Sequence, residues 1–320
     1  MQQRHLGSSG LTLSRLALGT MAWGTRTSPE EAEDIFTAFR AAGGTVVDTA
    51  HGYAAGRSEE ILGRLLAHAP RDEVVVVTKA GIGGTAEGGQ PGTGRVVDTS
   101  RRALLDQLDT SLRRLGLDHV DVWMAHAWDP RTPLAETLGA LEWAVTSGRA
   151  RYVAVAGFTG WQATRAFSLL EAARVPLVAV ENEYSLVWRR PELELVEAAQ
   201  SLGLGMLATS PLGRGVLAGR YRGAVPADSR LASEDLSRFA AVHVGDHTRG
   251  VVDAVLTAAR GLEVSPAALA LAWVRDRPGV TAAVVGPRTR AQLRTLLTAE
   301  ELDLPREIAE VLDEVSTDHL

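Results

Sequence analysis

Apolar and polar positions alternate along this chain in two rhythms. Short, nearly continuous apolar runs give way to longer stretches with apolar residues every third or fourth position. The first kind reads as buried parallel strands and the second as amphipathic helices. Residues 3–13 predict a small hairpin around the turn Gly7-Ser-Ser-Gly10. Strands are then predicted at Leu16–Thr20, Thr45–Ala50, Val74–Lys79, Val120–Ala127, Tyr152–Phe158, Leu177–Tyr184, Leu204–Ser210 and Val280–Val285. Helical periodicity fills the gaps. A helix from Ser28 through Ala42 has Pro29 at its first position and Gly43 past its end. Ser58 is expected to cap a helix running to Leu66, with Glu59 and Glu60 in the first turn. A third helix starts near Asp98, with Leu104, Leu108, Leu112 and Leu115 on one face. Further helices are predicted over Pro133–Ser147, Gln162–Ala173, Pro191–Leu202, Gly250–Leu262 and Pro266–Arg275, and two more end the chain. The glycine-rich stretch Gly81–Gly94 predicts a flexible loop, and residues 211–248 show little regular pattern.

Eight apolar strands, each followed by a helix, predict an α/β fold: a closed (β/α)₈ TIM barrel with an N-terminal β-hairpin and extra C-terminal helices. No linker interrupts it, so residues 1–320 form one domain. Composition agrees, since 45% hydrophobic residues supply a large core. The net charge of −6, without a basic block, gives no reason to expect nucleic acid. The absence of cysteine excludes disulfides and thiol chemistry. The first residues do not read as a signal peptide, and no apolar run is long enough to span a membrane. The expectation is a soluble, cytoplasmic protein.

Lys79 changes this picture most. It ends a run of four valines, where an ammonium loses hydration, and it is the only lysine in the chain. Arginine serves at every other basic position, so this one calls for a compact charge that can press on a hydroxyl or carboxylate. The plainer alternative is a lysine snorkelling at a strand rim. In a (β/α)₈ barrel, chemistry sits where strands end. The second strand ends in Asp48 with Tyr53 just beyond, the third in Lys79, and the fourth in His126 with Trp128 beyond. A free phenol, with a pKa near 10, is a poor proton donor at neutral pH. A neighbouring ammonium favours its phenolate, Asp48 would keep Lys79 charged, and His126 could orient a substrate oxygen. Together they predict a general acid aimed at a carbonyl.

These residues carry a resemblance that covers essentially the whole chain. Asp48-Thr-Ala-His-Gly-Tyr53 with Gly56 and Ser58-Glu-Glu-Ile-Leu-Gly63, Thr78-Lys79, Asp121–His126, Glu183-Tyr-Ser, Ser210-Pro-Leu-Gly-Arg-Gly and Val284–Leu293 are similar to the motifs of the aldo-keto reductases. The resemblance implies a catalytic tetrad of Asp48, Tyr53, Lys79 and His126. It implies reduction of an aldehyde or ketone by a nicotinamide cofactor lying across the strand ends. Ser210, Leu212 and Gly213 would give backbone amides to the pyrophosphate. Gly286, Arg288 and Gln292 would hold the adenosine half, with Arg220 and Arg230 near the phosphates. Arginine suits a ribose 2′-phosphate, so NADPH is expected over NADH. Glu181, Ala156 and Gly157 stand where the family usually has glutamine, serine and asparagine around the nicotinamide carboxamide. An ionised Glu181 would accept from the carboxamide NH₂ group and favour the oxidised ring. Thr209 and Leu296 replace a stacking aromatic residue and an adenine-binding asparagine. Trp23 and Trp128 would wall the substrate pocket.

Other readings are weaker. Gly213–Gly219 superficially resembles a Rossmann glycine loop but comes late in the chain. A metal-dependent barrel hydrolase would want a His-x-His pair at a strand end. A non-catalytic NADPH-binding module of the same fold is the remaining alternative. The physiological substrate and oligomeric state are not encoded in these motifs.

Overall fold

The computed structural model describes residues 1–85, 95–219, 221, 232, 237 and 241–319. Eight parallel strands close into a barrel: β3 (Leu16–Gly19), β4 (Val46–Asp48), β5 (Val75–Ala80), β8 (Val120–Ala125), β9 (Ala150–Ala156), β10 (Leu177–Glu183), β11 (Gly205–Thr209) and β12 (Val280–Val285). They pair in chain order, and β12 closes on β3. Inward side chains such as Ala17, Val77, Met124, Ala154 and Leu207 fill the interior. Outward ones pack under the surrounding helices in a much larger cluster. The N-terminal hairpin of β1 (Gln3–His5) and β2 (Thr12–Ser14) seals the end where the strands begin. Leu6 and Leu13 are wholly buried there, and Ser8 N–H donates to the Gly203 carbonyl at 2.8 Å.

The helices among the described residues are α1 (Pro29–Ala41), α2 (Arg57–Leu66), α3 (Arg101–Leu115), α4 (Leu134–Thr146), α5 (Gly160–Ala172), α6 (Leu195–Ser201), α7 (Asp246–Gly261), α8 (Pro266–Arg275), α9 (Arg290–Leu297) and α10 (Arg306–Val315). Ser28 caps α1, as its sequence predicts, accepting from Glu31 N–H. Among the described residues, no single helix is long and apolar enough to cross a membrane.

Three expectations are corrected. The stretch predicted as a loop from Gly81 contains an antiparallel pair, β6 (Ile82–Thr85) with β7 (Arg95–Val97), and its remainder lies outside the described residues. Backbone pairing there overrides the weak strand preference of glycine. The helix predicted over Pro191–Leu202 is broken. Glu194 leaves helical geometry at φ −153°, and its carboxylate accepts from Gly160 N–H at the start of α5. Finally, α7 begins at Asp246, a turn earlier than its apolar periodicity suggests.

Candidate active site

The C-terminal ends of β4, β5 and β8 bring the expected tetrad together, and β10 adds Glu181 beside it. Backbone bonds set its register. Thr49 N–H donates to the Val77 carbonyl and His51 N–H to that of Lys79, both at 2.9 Å, while His126 N–H donates to Ala80 at 2.8 Å. Tyr53 follows on a tight 3₁₀ turn, Tyr53–Gly56. Ala54 and Ala55 in that turn adopt left-handed geometry, with φ of 51° and 55°. Such backbone is costly for alanine, so the presentation of Tyr53 is enforced by its surroundings rather than by local preference.

Lys79 is entirely buried. Its Nζ donates to Asp48 Oδ1 and, at 3.0 Å, to the Thr49 carbonyl. It lies 3.3 Å from Glu181 Oε1 and 5.6 Å from the centroid of the Tyr53 ring. Burial alone would pull the ammonium's pKa down. Asp48, Glu181 and Tyr53 outweigh that, so the group stays charged above the ordinary lysine value. The His126 ring meets Tyr53 edge-on, with centroids 5.8 Å apart. The lysine is therefore no rim residue; it is the buried centre of the cluster.

Glu181 sits between burial and its charged neighbours. Burial first, and Asp48 second, push its carboxyl up to about 8 against the pull of Lys79. Glu181 Oε2 is buried without a hydrogen-bond partner among the described residues, and so is Asn182 Oδ1 beside it.

A cavity of about 560 Å³ runs from Tyr53 and His126, past Glu181, to the far wall at Arg288, Gln292 and Leu296. Ser210 and Leu212 line it, while Gly213 lies behind. Ser210, Gly213, Arg214 and Gly215 all have positive φ, which turns the loop after β11 sharply around the cavity. The Gly213 N–H is spent on the Ser210 carbonyl at 2.8 Å. Glycine is needed there because a Cβ would meet Val187 Cγ2 at 2.4 Å. Gly286 is exposed where β12 ends, at the cavity edge. Gln292 Oε1 accepts from Arg288 N–H at 2.9 Å, ordering the start of α9. Arg220 and Arg230 lie outside the described residues.

Neither tryptophan expected to wall the pocket lines the cavity. Trp23 is fully buried in the core and does not line the cavity, because the strand–helix connection folds it inward. Trp128 is half-buried, packs on the edge of the core and does not line the cavity either; it meets Phe158 and Trp161 edge-on, with centroids 5.3 and 5.4 Å away. Trp161, 58% exposed, was not singled out by sequence; its only signal is a large aromatic residue in the first turn of a helix.

Sequence reading also missed a supporting layer. Ser58 does not cap α2. Its hydroxyl donates to Thr20 and sits 3.1 Å from Thr49 Oγ1, tying the ends of β3 and β4. Glu59 is buried, accepting from Thr78 Oγ1 at 2.8 Å and Arg114 Nη1 at 3.1 Å. Arg114 also contacts His51, whose imidazole is pushed down to about 4 by burial and by that guanidinium. On the opposite wall, Arg214 forks onto Glu183, which His243 also contacts at 2.9 Å. Burial would raise the Glu183 carboxyl, but these two partners hold it below the usual range.

Residues 15–317 match the model of the aldo/keto reductase family. A probable voltage-gated potassium channel subunit beta from Oryza sativa subsp. japonica is 35% identical, covering 98% of this chain and 95% of that protein. An uncharacterized oxidoreductase, YrpG, from Bacillus subtilis is 34% identical over 98% of this chain and 96% of its own length. The L-glyceraldehyde 3-phosphate reductase of Escherichia coli K12 is 34% identical over 92% of this chain and 86% of its own. With its closed eight-stranded barrel and a match over nearly its whole length, the chain belongs to the aldo/keto reductase family.

Proposed function

We propose that this protein is a cytoplasmic, NADPH-dependent reductase of small aldehydes or ketones, with Tyr53 as the proton donor. Membership of the family already makes it an oxidoreductase of the carbonyl-reducing class. The observation that carries the finer reading is the buried Lys79 ammonium, which lies beneath Tyr53 and is held by Asp48 at the wall of the large cavity.

The cavity residues suit a nicotinamide cofactor. Glu181 Oε2 and Asn182 Oδ1 are buried acceptors at its edge that lack partners among the described residues, as a carboxamide NH₂ group would require. Ser210 and Leu212 line the middle, and Arg288 with Gln292 the far end, where phosphate and adenosine would lie. When bound, the cofactor would supply hydride to the carbonyl carbon. The protein handles the proton. Tyr53 donates its phenolic proton to the carbonyl oxygen, and Lys79 stabilises the phenolate left behind. Asp48 keeps the ammonium charged and fixed, and His126 bonds the same oxygen. One relative's name, a glyceraldehyde 3-phosphate reductase, supports an aldehyde as the substrate class.

Rapid mixing of the NADPH-loaded protein with a reactive aldehyde should give a single-turnover loss of reduced-nicotinamide absorbance. Cofactor binding without any such loss would leave a binding module rather than an enzyme. A charge-assisted contact to phosphate contributes roughly 1.5–3 kcal/mol, so Arg288→Ala should weaken NADPH about tenfold or more and barely change NADH. Equal weakening of both would remove Arg288 from recognition of the 2′-phosphate.

A further inference from the structure

The charges around Lys79 do not balance if every group takes its usual form. The cluster holds one ammonium and two carboxyls, Asp48 and Glu181, with both carboxyls almost fully buried. Asp48 makes the closer contact and Glu181 stands 3.3 Å from Nζ. Among the described residues, no other cation reaches Glu181. Its neighbours in register on β9 and β11 are Ala156 and Leu207. Across the mouth it faces Asp48 and Lys79, with Tyr53 and His126 beyond. Glu183, two residues along β10, is already matched by Arg214 and His243.

One ammonium neutralises one carboxylate, so the second carboxyl is stable in this dry setting only as the acid. Glu181 Oε2, the oxygen turned away from Lys79, has no hydrogen-bond partner among the described residues. The direction of the Glu181 shift agrees. Because Glu181 lines the cavity, any positive charge placed there becomes the missing second cation.

We propose that Glu181 trades its proton for the positive ring of the oxidised cofactor: it is a carboxylic acid in the free protein and in the NADPH complex, and a carboxylate in the NADP⁺ complex. The inference rests on the site being a nicotinamide cofactor site. The balance is simple. Protein with protonated Glu181 plus NADP⁺ gives the complex with ionised Glu181 and one proton released to solvent; NADPH binds with none released from this group. Glu181 is thus a positioning residue that reads the charge of the ring.

The test is calorimetric. NADP⁺ and NADPH are titrated into the full chain at pH 7 in two buffers of different ionisation enthalpy, which counts the protons released. The ribose phosphate titrates in both cofactors and cancels in the difference. Wild type should release close to one more proton with NADP⁺ than with NADPH, and Glu181→Gln should abolish that difference. In wild type alone, the ratio Kd(NADP⁺)/Kd(NADPH) should fall by up to tenfold per pH unit between pH 6 and 7 and flatten above the Glu181 range. Equal proton counts for the two cofactors, or a difference that persists in Glu181→Gln, would overturn the proposal while leaving the reductase reading intact. If neither cofactor binds, the reductase reading fails and the proposal falls with it.

Discussion

Lys79→Met removes the one cation from a buried cluster of acids. Methionine matches the reach of the lysine stem but carries no charge. The wild-type ammonium has no solvent exposure and touches Asp48, the Thr49 carbonyl and Glu181. Without it, two buried carboxyls face each other with no counter-ion. Breaking a buried ion pair from one side costs about 3–5 kcal/mol. The sign with pH follows from linkage. Carboxyls that are harder to ionise in the folded state penalise folding only above the pH at which the unfolded chain ionises them, near 4. Each proton contributes at most about 1.4 kcal/mol per pH unit. The deficit of Lys79→Met against wild type should therefore be small near pH 5 and approach its full size by pH 8. Urea unfolding followed by tryptophan fluorescence at several pH values measures it. A deficit that does not change with pH, or one under about 1 kcal/mol at pH 8, would contradict the assignment of Lys79 as the charge that holds this site together. Lys79→Arg keeps the charge, but its wide planar fork does not fit the compact pocket. It should retain more stability than Lys79→Met yet lose carbonyl reduction almost as completely.

Two backbone positions give further predictions. Ala54→Gly should raise stability by about 1 kcal/mol, read as a higher urea midpoint, because alanine at φ 51° pays a left-handed penalty that glycine does not; an unchanged or lower midpoint would mean that the turn under Tyr53 is not strained. Gly213→Ala should destabilise by about 1–3 kcal/mol, since its Cβ would lie 2.4 Å from Val187 Cγ2 at φ +55°. Pairing it with Val187→Ala should recover part of that loss, and no recovery would assign the cost to backbone geometry alone.

The barrel was legible because its signals are local. Four valines ending in the only lysine, or Pro29 at the start of α1 and Gly43 past its end, depend on neighbours in the chain. The tetrad was legible because the fold dictates that strand ends meet. The rest required tertiary partners. Ser58 looks like a helix cap until Thr20 and Thr49 are seen to claim its hydroxyl. Glu59 looks like a first-turn acid until Arg114, 55 residues away, is found against it. The protonation of Glu181 depends on charges contributed by β4 and β5, which no pattern on β10 encodes. Trp23 and Trp128 both follow strands and look like pocket walls in sequence, yet Trp23 is fully buried and Trp128 packs on the edge of the core against Phe158.

The central claim is that the Tyr53 phenol delivers the proton in carbonyl reduction. Tyr53→Phe removes one oxygen from a half-buried ring and leaves the Asp48–Lys79 pair in place. The decisive measurement is the single-turnover rate of NADPH oxidation by a reactive aldehyde, with cofactor affinity measured in parallel. General acids typically contribute 10²–10⁴-fold, so Tyr53→Phe should bind NADPH as wild type does and react slower by about that factor. A variant that keeps more than about a tenth of the wild-type rate would contradict the assignment of Tyr53 as the proton donor.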